Sequence, residues 1–122
     1  MTATRTQLGR QGESLAIDFL KKNNYKILQK NYRCVFGEID IIALKKNVLS
    51  FIEVKARSSV RFGLPQEAIT ARKQRKISQV ALEFMQRHRI EDKQARFDVV
   101  AVQVTPAGHH IELIENAFEL AE

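Results

Sequence analysis

Two runs of strand-forming residues, 38–44 and 48–56, flank a Lys45-Lys46-Asn47 turn, and both are too rich in Ile, Val and Phe for a strand wetted on one face. Such a hairpin belongs at the centre of a sheet and needs cover above and below. The flanking sequence offers that cover. Ahead of the hairpin, Ala16, Phe19 and Leu20 recur at the spacing of one helical face, which predicts a helix over 9–22 ended by Asn23-Asn24. Residues 25–33 read as a strand with Tyr25 and Ile27 on one side, although Leu28 breaks the alternation. Behind the hairpin, Thr70 is an N-cap for a long helix whose apolar face is Ile77, Val80, Ala81, Phe84 and Met85. Lys73, four residues before Ile77, lies at the inner edge of that face. A strand over 96–104, a Pro106-Ala107-Gly108 turn and a strand over 109–114 pairing back complete the pattern. Helix, three strands, helix, two strands is the order of an α/β fold, a mixed central β-sheet of about five strands flanked by helices. At 122 residues and 44% hydrophobic, the chain is sized for a single such domain, 1–122.

The hairpin also carries charge where a core is expected: Asp40 in the first run, Glu53 and Lys55 in the second. Removing an ion from water costs several kcal/mol unless a partner compensates, so three such groups in one hairpin suggest a built site. Side chains alternate along a strand, so Glu53 and Lys55 share a face with Phe51 and Arg57, while Ile52, Val54 and Ala56 face the other layer. A symmetric turn about Lys46-Asn47 pairs Lys45 with Val48 and, counting back, Asp40 with Glu53. Their Cβ atoms then lie about 4.5 to 5.5 Å apart. Two carboxylates at that distance repel unless they share a proton or a cation lies between them. Mg²⁺, with Mn²⁺ as a substitute, suits oxygen ligands of this kind and commonly completes its shell with water and phosphate oxygens. Lys55 is then placed to orient the attacking water or to stabilise a pentavalent phosphorus, which makes phosphodiester hydrolysis the expected chemistry. The plainer alternative is a Glu53–Lys55 surface ion pair with Asp40 exposed at a strand end.

Charge elsewhere points the same way. The formal net charge is +6, and between Lys55 and Lys76 seven basic residues (Lys55, Arg57, Arg61, Arg72, Lys73, Arg75, Lys76) face Glu67 alone. Arg72, Lys73, Arg75 and Lys76 open the second helix, where cations oppose the helix dipole and invite an external anion; Arg57 and Arg61 extend the track. A solvated helix face is the ordinary reading of such a run, and a DNA backbone the functional one. Phe36 and Phe62, in loops near the carboxylates, either stack on bases or are partly buried. Asp98 reads as a hydrogen-bonded strand-start residue, and none of His88, His109 and His110 is placed as a general base. One cysteine, Cys34, suits a reducing compartment. The polar first fourteen residues and the lack of any long apolar run lead us to expect a cytoplasmic protein with no membrane partner.

Gly12-Glu13, Asn31-Tyr32-Arg33, the run from Gly37 to Ala43 (Gly-Glu-Ile-Asp-Ile-Ile-Ala), the run from Phe51 to Arg57 (Phe-Ile-Glu-Val-Lys-Ala-Arg) and Arg96-Phe97-Asp98-Val99-Val100 together resemble the YraN-like family of bacterial proteins. That family is in turn distantly similar to archaeal Holliday junction resolvases and the wider restriction-endonuclease-like group, whose pattern is an aspartate, then Glu-x-Lys, often with a glutamate on the first helix. The resemblance implies a restriction-endonuclease-like fold, with Asp40 and Glu53 as Mg²⁺ ligands, Lys55 assisting the attacking water and Glu13 completing the metal shell. For Glu13 an exposed helix-start carboxylate is the competing reading. Where the wider group often has proline before the aspartate, Ile39 stands here, which should leave the strand more regular. Junction cleavage takes two coordinated cuts, so the resemblance also implies a homodimer acting on branched DNA. A nucleic-acid-binding module that keeps the fold without cutting, and a protein-interaction scaffold, are the alternatives.

Overall fold

The computed structural model describes residues 5–58 and 69–118. Helix α1 (Arg5–Lys22) is followed by strands β1 (Lys26–Cys34), β2 (Gly37–Lys45) and β3 (Val48–Arg57), then by helix α2 (Ala71–Arg87) and strands β4 (Gln94–Thr105) and β5 (Gly108–Phe118). The strands form one five-stranded sheet in chain order. Neighbours are antiparallel except β3 and β4, which run parallel because α2 crosses between them. The result is the mixed α/β sheet that the order of apolar runs implies.

The two helices cover opposite faces, as the two-sided hydrophobicity of the hairpin requires. Against one face, Ala16 and Leu20 of α1 pack on Ile41, Ala43, Ile52, Val100 and Val102. On the other, Ile77, Val80, Ala81 and Phe84 of α2 pack on Ile42, Leu49, Phe51 and Phe97. Phe84 meets the Tyr32 ring edge-on at 5.1 Å, and Phe51 stacks on Phe97 at 5.7 Å. Among the described residues no helix is long and apolar enough to cross a membrane.

Both helices end as their sequences dictate. Asn24 takes a left-handed φ of 69°, and the N–H groups of Asn24 and Tyr25 return to the carbonyls of Lys21 and Leu20. Arg89 (φ 53°) and Ile90 close α2 in the same way on Gln86 and Met85. At the other end of α2, the Thr70 hydroxyl accepts the N–H of Lys73 at 3.2 Å, the N-cap expected of it. Helix α1 starts at Arg5, four residues earlier than its apolar periodicity indicates. The misfit at Leu28 is a β-bulge: the β1–β2 register shifts between Ile27 and Gln29.

Gly12 fixes where α1 lies. A Cβ at that position would stand 2.6 Å from the Cβ of Ala56, so only glycine lets the helix backbone settle on the end of β3. That contact puts Glu13, the next residue, near the end of β3 that carries its charged residues.

Candidate functional site

Strand β2 does not continue regularly through Asp40. The β2–β3 ladder runs from Lys45 opposite Val48 to Ile41 opposite Ile52, the register predicted from the turn, and stops there. Where the next backbone pair would form, Oδ2 of Asp40 accepts the Val54 N–H at 2.8 Å. Ile39 and Ile41, two apart, pack into opposite cores, so the alternation slips at Asp40. On the β1 side Asn31 has a left-handed φ of 50°, between the regular pairs of Lys30 with Ile41 and Tyr32 with Ile39. The regularity expected from Ile39 in place of proline is therefore not found. The slip keeps Asp40 beside Glu53 and spends its carboxylate on the strand end.

Glu53 is 12% exposed and is held by two ammonium groups: Lys73 Nζ at 2.5 Å and Lys55 Nζ at 3.6 Å from its Oε1. The simple reading of a surface Glu53–Lys55 pair with an exposed Asp40 does not describe this arrangement, because Lys55 is itself only 22% exposed and the third partner arrives from α2. The Thr70 cap sets the first turn of α2, and Lys73, one helical turn before buried Ile77, is thereby aimed inward. Asp40, Glu53, Val54, Lys55 and Ala56 form one wall of a cleft of about 380 Å³, with Leu8, Gly9 and Glu13 of α1 opposite.

Burial and neighbouring charge set the electrostatics of the cleft. Burial, and then the neighbouring charge of Glu53, push the Asp40 carboxyl up to about 7 against the stabilising hydrogen bond from Val54. Burial and the neighbouring Lys73 pull Lys55 below the ordinary lysine value, with Glu53 and Asp40 opposing. Burial lowers Lys73 too, but the hydrogen bond and charge of Glu53 outweigh it and hold that ammonium above its ordinary value.

The carboxylate oxygens of Asp40 and Glu53, lining one cleft, are hard donors of the kind a divalent cation such as Mg²⁺ takes. Among the described residues no three of His, Cys, Asp and Glu converge as a ready metal cage. Glu13 lines the cleft but does not close a third ligand position. With its amide nitrogen turned toward them, Asn31 donates to Glu13 Oε1 at 3.1 Å and Glu38 Oε1 at 3.2 Å, and Glu38 is paired with Arg33 at 3.2 Å. Asn31 and Glu38, which residue-by-residue reading passes over, thus form the outer rim of the acidic side. Their place in the Asn31-Tyr32-Arg33 and Gly37–Ala43 motifs was the available signal, since in the ladder Glu38 stands opposite Arg33 and not Asn31.

The basic residues divide. Arg72, Arg75 and Lys76 are exposed on the first turns of α2, Lys73 is turned onto Glu53, and Arg57 is half-buried at the end of β3. Arg61 and Phe62 lie outside the described residues. Phe36, 43% exposed in the β1–β2 turn, lines a shallow groove with Leu82 and Gln79 of α2. Asp98 lies four residues into β4 and is 1% exposed. It accepts from the Ser50 hydroxyl, from Arg96 Nε at 2.9 Å and from the Asn116 N–H at 3.0 Å, where a bulge in β5 frees that donor. It is a hydrogen-bonded structural residue, set deeper in its strand than expected.

Comparison with known sequences agrees with the motifs. The profile of "Uncharacterised protein family UPF0102" matches residues 12–102. A UPF0102 protein of Syntrophus aciditrophicus is 50% identical over 93% of this chain and 89% of its own length. Its counterpart in Geobacter metallireducens is 46% identical over 99% of each chain, and that of Caldicellulosiruptor saccharolyticus 47% identical over 93% and 98%. The matched span takes in Gly12, Glu13, Asp40, Glu53, Lys55, Lys73 and Asp98 alike, and the chain belongs to the UPF0102 family, the YraN-like group.

Proposed function

We propose that this chain is a Mg²⁺-dependent endonuclease that hydrolyses phosphodiester bonds in DNA, branched DNA in particular, and that it works in the cytoplasm as a homodimer. The observation that carries the reading is the cleft that Asp40, Glu53 and Lys55 line together, with the Asp40 carboxyl pushed up to about 7 by burial and then by the charge of Glu53. Asp40 and Glu53 would hold the ion, and Mn²⁺ would replace it. When bound, the metal supplies charge neutralisation at the scissile phosphate and a water of lowered pKa. Lys55, fixed two residues along the same strand, orients that water or receives the charge that develops on phosphorus. Arg72, Arg75 and Lys76, exposed on the adjoining helix, with Arg57 at the strand end, hold the flanking phosphates. Two copies place two clefts on one substrate, as paired cuts across a junction require.

The test is nicking of a four-way junction in the presence of Mg²⁺ or Mn²⁺. Cleavage should fall about 10²- to 10³-fold in Glu53→Ala and in Lys55→Ala, the scale of losing a transition-state electrostatic partner. One observation favours a second reading, a module that binds nucleic acid without cutting: Glu53 is already balanced by two lysines. Junction binding that survives both substitutions, with no strand cut by the parent chain, would decide for the module.

A further inference from the structure

Lys55 and Lys73 converge on a single oxygen of Glu53, at 3.6 and 2.5 Å. A dication brought to Glu53 with both in place would meet two ammonium groups within a few ångströms, so one of them must leave. Lys55 is anchored two residues from Glu53 on the same strand, and 78% of its side-chain surface is covered, the complement of its 22% exposure. Lys73 comes from the first turn of a helix, on a flexible stem, and is 39% exposed. It has water to move into and three exposed cations, Arg72, Arg75 and Lys76, on the same helical turns.

We propose that Lys73 is the resident counter-ion of Glu53, competing with the divalent metal for that carboxylate and, once displaced, joining Arg72, Arg75 and Lys76 as a contact for phosphate. This inference rests on the metal reading above. It assigns Lys73 a double use: with the cleft metal-free it satisfies a largely buried carboxylate, and with the cleft loaded it faces the polyanion. Metal uptake and phosphate binding are then coupled, because each favours the outward position of one side chain.

Calorimetric titration of the full chain with Mn²⁺ tests it. Lys73→Met should take up the ion about five- to twentyfold more tightly than the parent chain, since the metal no longer displaces a half-exposed ion pair. Lys76→Met, which removes the same charge from the same helix but not from Glu53, should bind within about twofold of the parent, because a surface charge at that range is screened. Lys73→Gln provides the same comparison should the methionine variant fold poorly. Equal gains in the Lys73 and Lys76 variants would overturn the inference and leave the metal reading standing. No uptake by the parent chain or by either Lys73 variant would end the metal reading and this inference together. Coordinates of the Mn²⁺-loaded parent chain add an independent readout: Lys73 Nζ beyond ion-pair distance of Glu53 supports displacement, and an intact pair beside a bound ion refutes it.

Discussion

Asp40 is a carboxyl whose charge the fold opposes. Its carboxyl is raised from 3.8 to about 7, by burial first and by Glu53 second, so the fold disfavours its charged form. A carboxyl raised on folding leaves stability undiminished below about pH 4, where both states are protonated, and subtracts from it as pH climbs through the folded value near 7. The metal-free chain should therefore be less stable at pH 8 than at pH 5. Asp40→Asn keeps an oxygen to accept the Val54 N–H and removes the charge. It should stabilise the metal-free chain at pH 8 by about 1 to 3 kcal/mol, after discounting for partial solvation, and by roughly a third of that at pH 5, which lies partway between the unfolded and folded values. Urea denaturation in EDTA at the two pH values measures this, and a variant as pH-sensitive as its parent would refute it. Glu53→Gln is not its equivalent, because Glu53 is the common partner of Lys55 and Lys73 and its neutralisation leaves two lysines facing one another. The register of β2 on β3 as far as Ile41 opposite Ile52 could be counted from the turn, since a two-residue loop fixes register, but the Asp40–Glu53 pair that the count puts next does not form. What the count could not include was the switch of Asp40 from ladder member to side-chain acceptor, which depends on a third strand and on the left-handed Asn31 within it.

At the scale of elements, the seating of α1 on β3 determines whether a cleft exists at all. The glycine at position 12 is costly for a helix, about 1 kcal/mol against alanine, and the structure gives its reason in the 2.6 Å approach to Ala56. Gly12→Ala should thus destabilise the chain by about 1 to 2 kcal/mol despite the better helix former, because overpacking outweighs propensity. Adding Ala56→Gly opens the space and should return the double variant to within about 0.5 kcal/mol of the parent, a non-additivity that only contacting residues show. Thermal melts of the single and double variants check it, and a Gly12→Ala chain more stable than its parent would mean that the helix does not sit where described. The strands, the α2 cap at Thr70 and the parallel crossover were all legible, since each rests on a local pattern of period or cap chemistry. The early start of α1 was not, because Gln7, Gly9, Arg10 and Gln11 carry no apolar period and two glycines argue against helix. Lys73 lay between these cases. Its spacing from Ile77 marked it as inward-facing, yet its partner Glu53 is twenty residues away and is reached only once α2 has docked on the sheet.

For the molecule as a whole, the question is whether the excess of positive charge reads a polyanion or merely keeps a surface wet. Net charge alone does not separate the two, but the distribution does offer a lever. Arg72, Arg75 and Lys76 are exposed on the α2 turns that adjoin the cleft, and no acidic residue stands in that first turn. Each cation that neutralises a DNA phosphate releases a counter-ion, so log K falls linearly with log salt, by about 0.9 for every phosphate contact on duplex DNA. Replacing Arg72, Arg75 and Lys76 by Gln should reduce that slope by about 2 to 3 and weaken binding alike for junctions of different sequence. Replacing Glu112 and Glu115 of β5 by Gln, equally exposed carboxylates on an edge strand, should leave the slope unchanged, since no cation is removed. Fluorescence anisotropy of a labelled junction across a salt series reads both. A shallow slope in the parent chain, or one that the triple substitution does not alter, would show that this helix face meets only water.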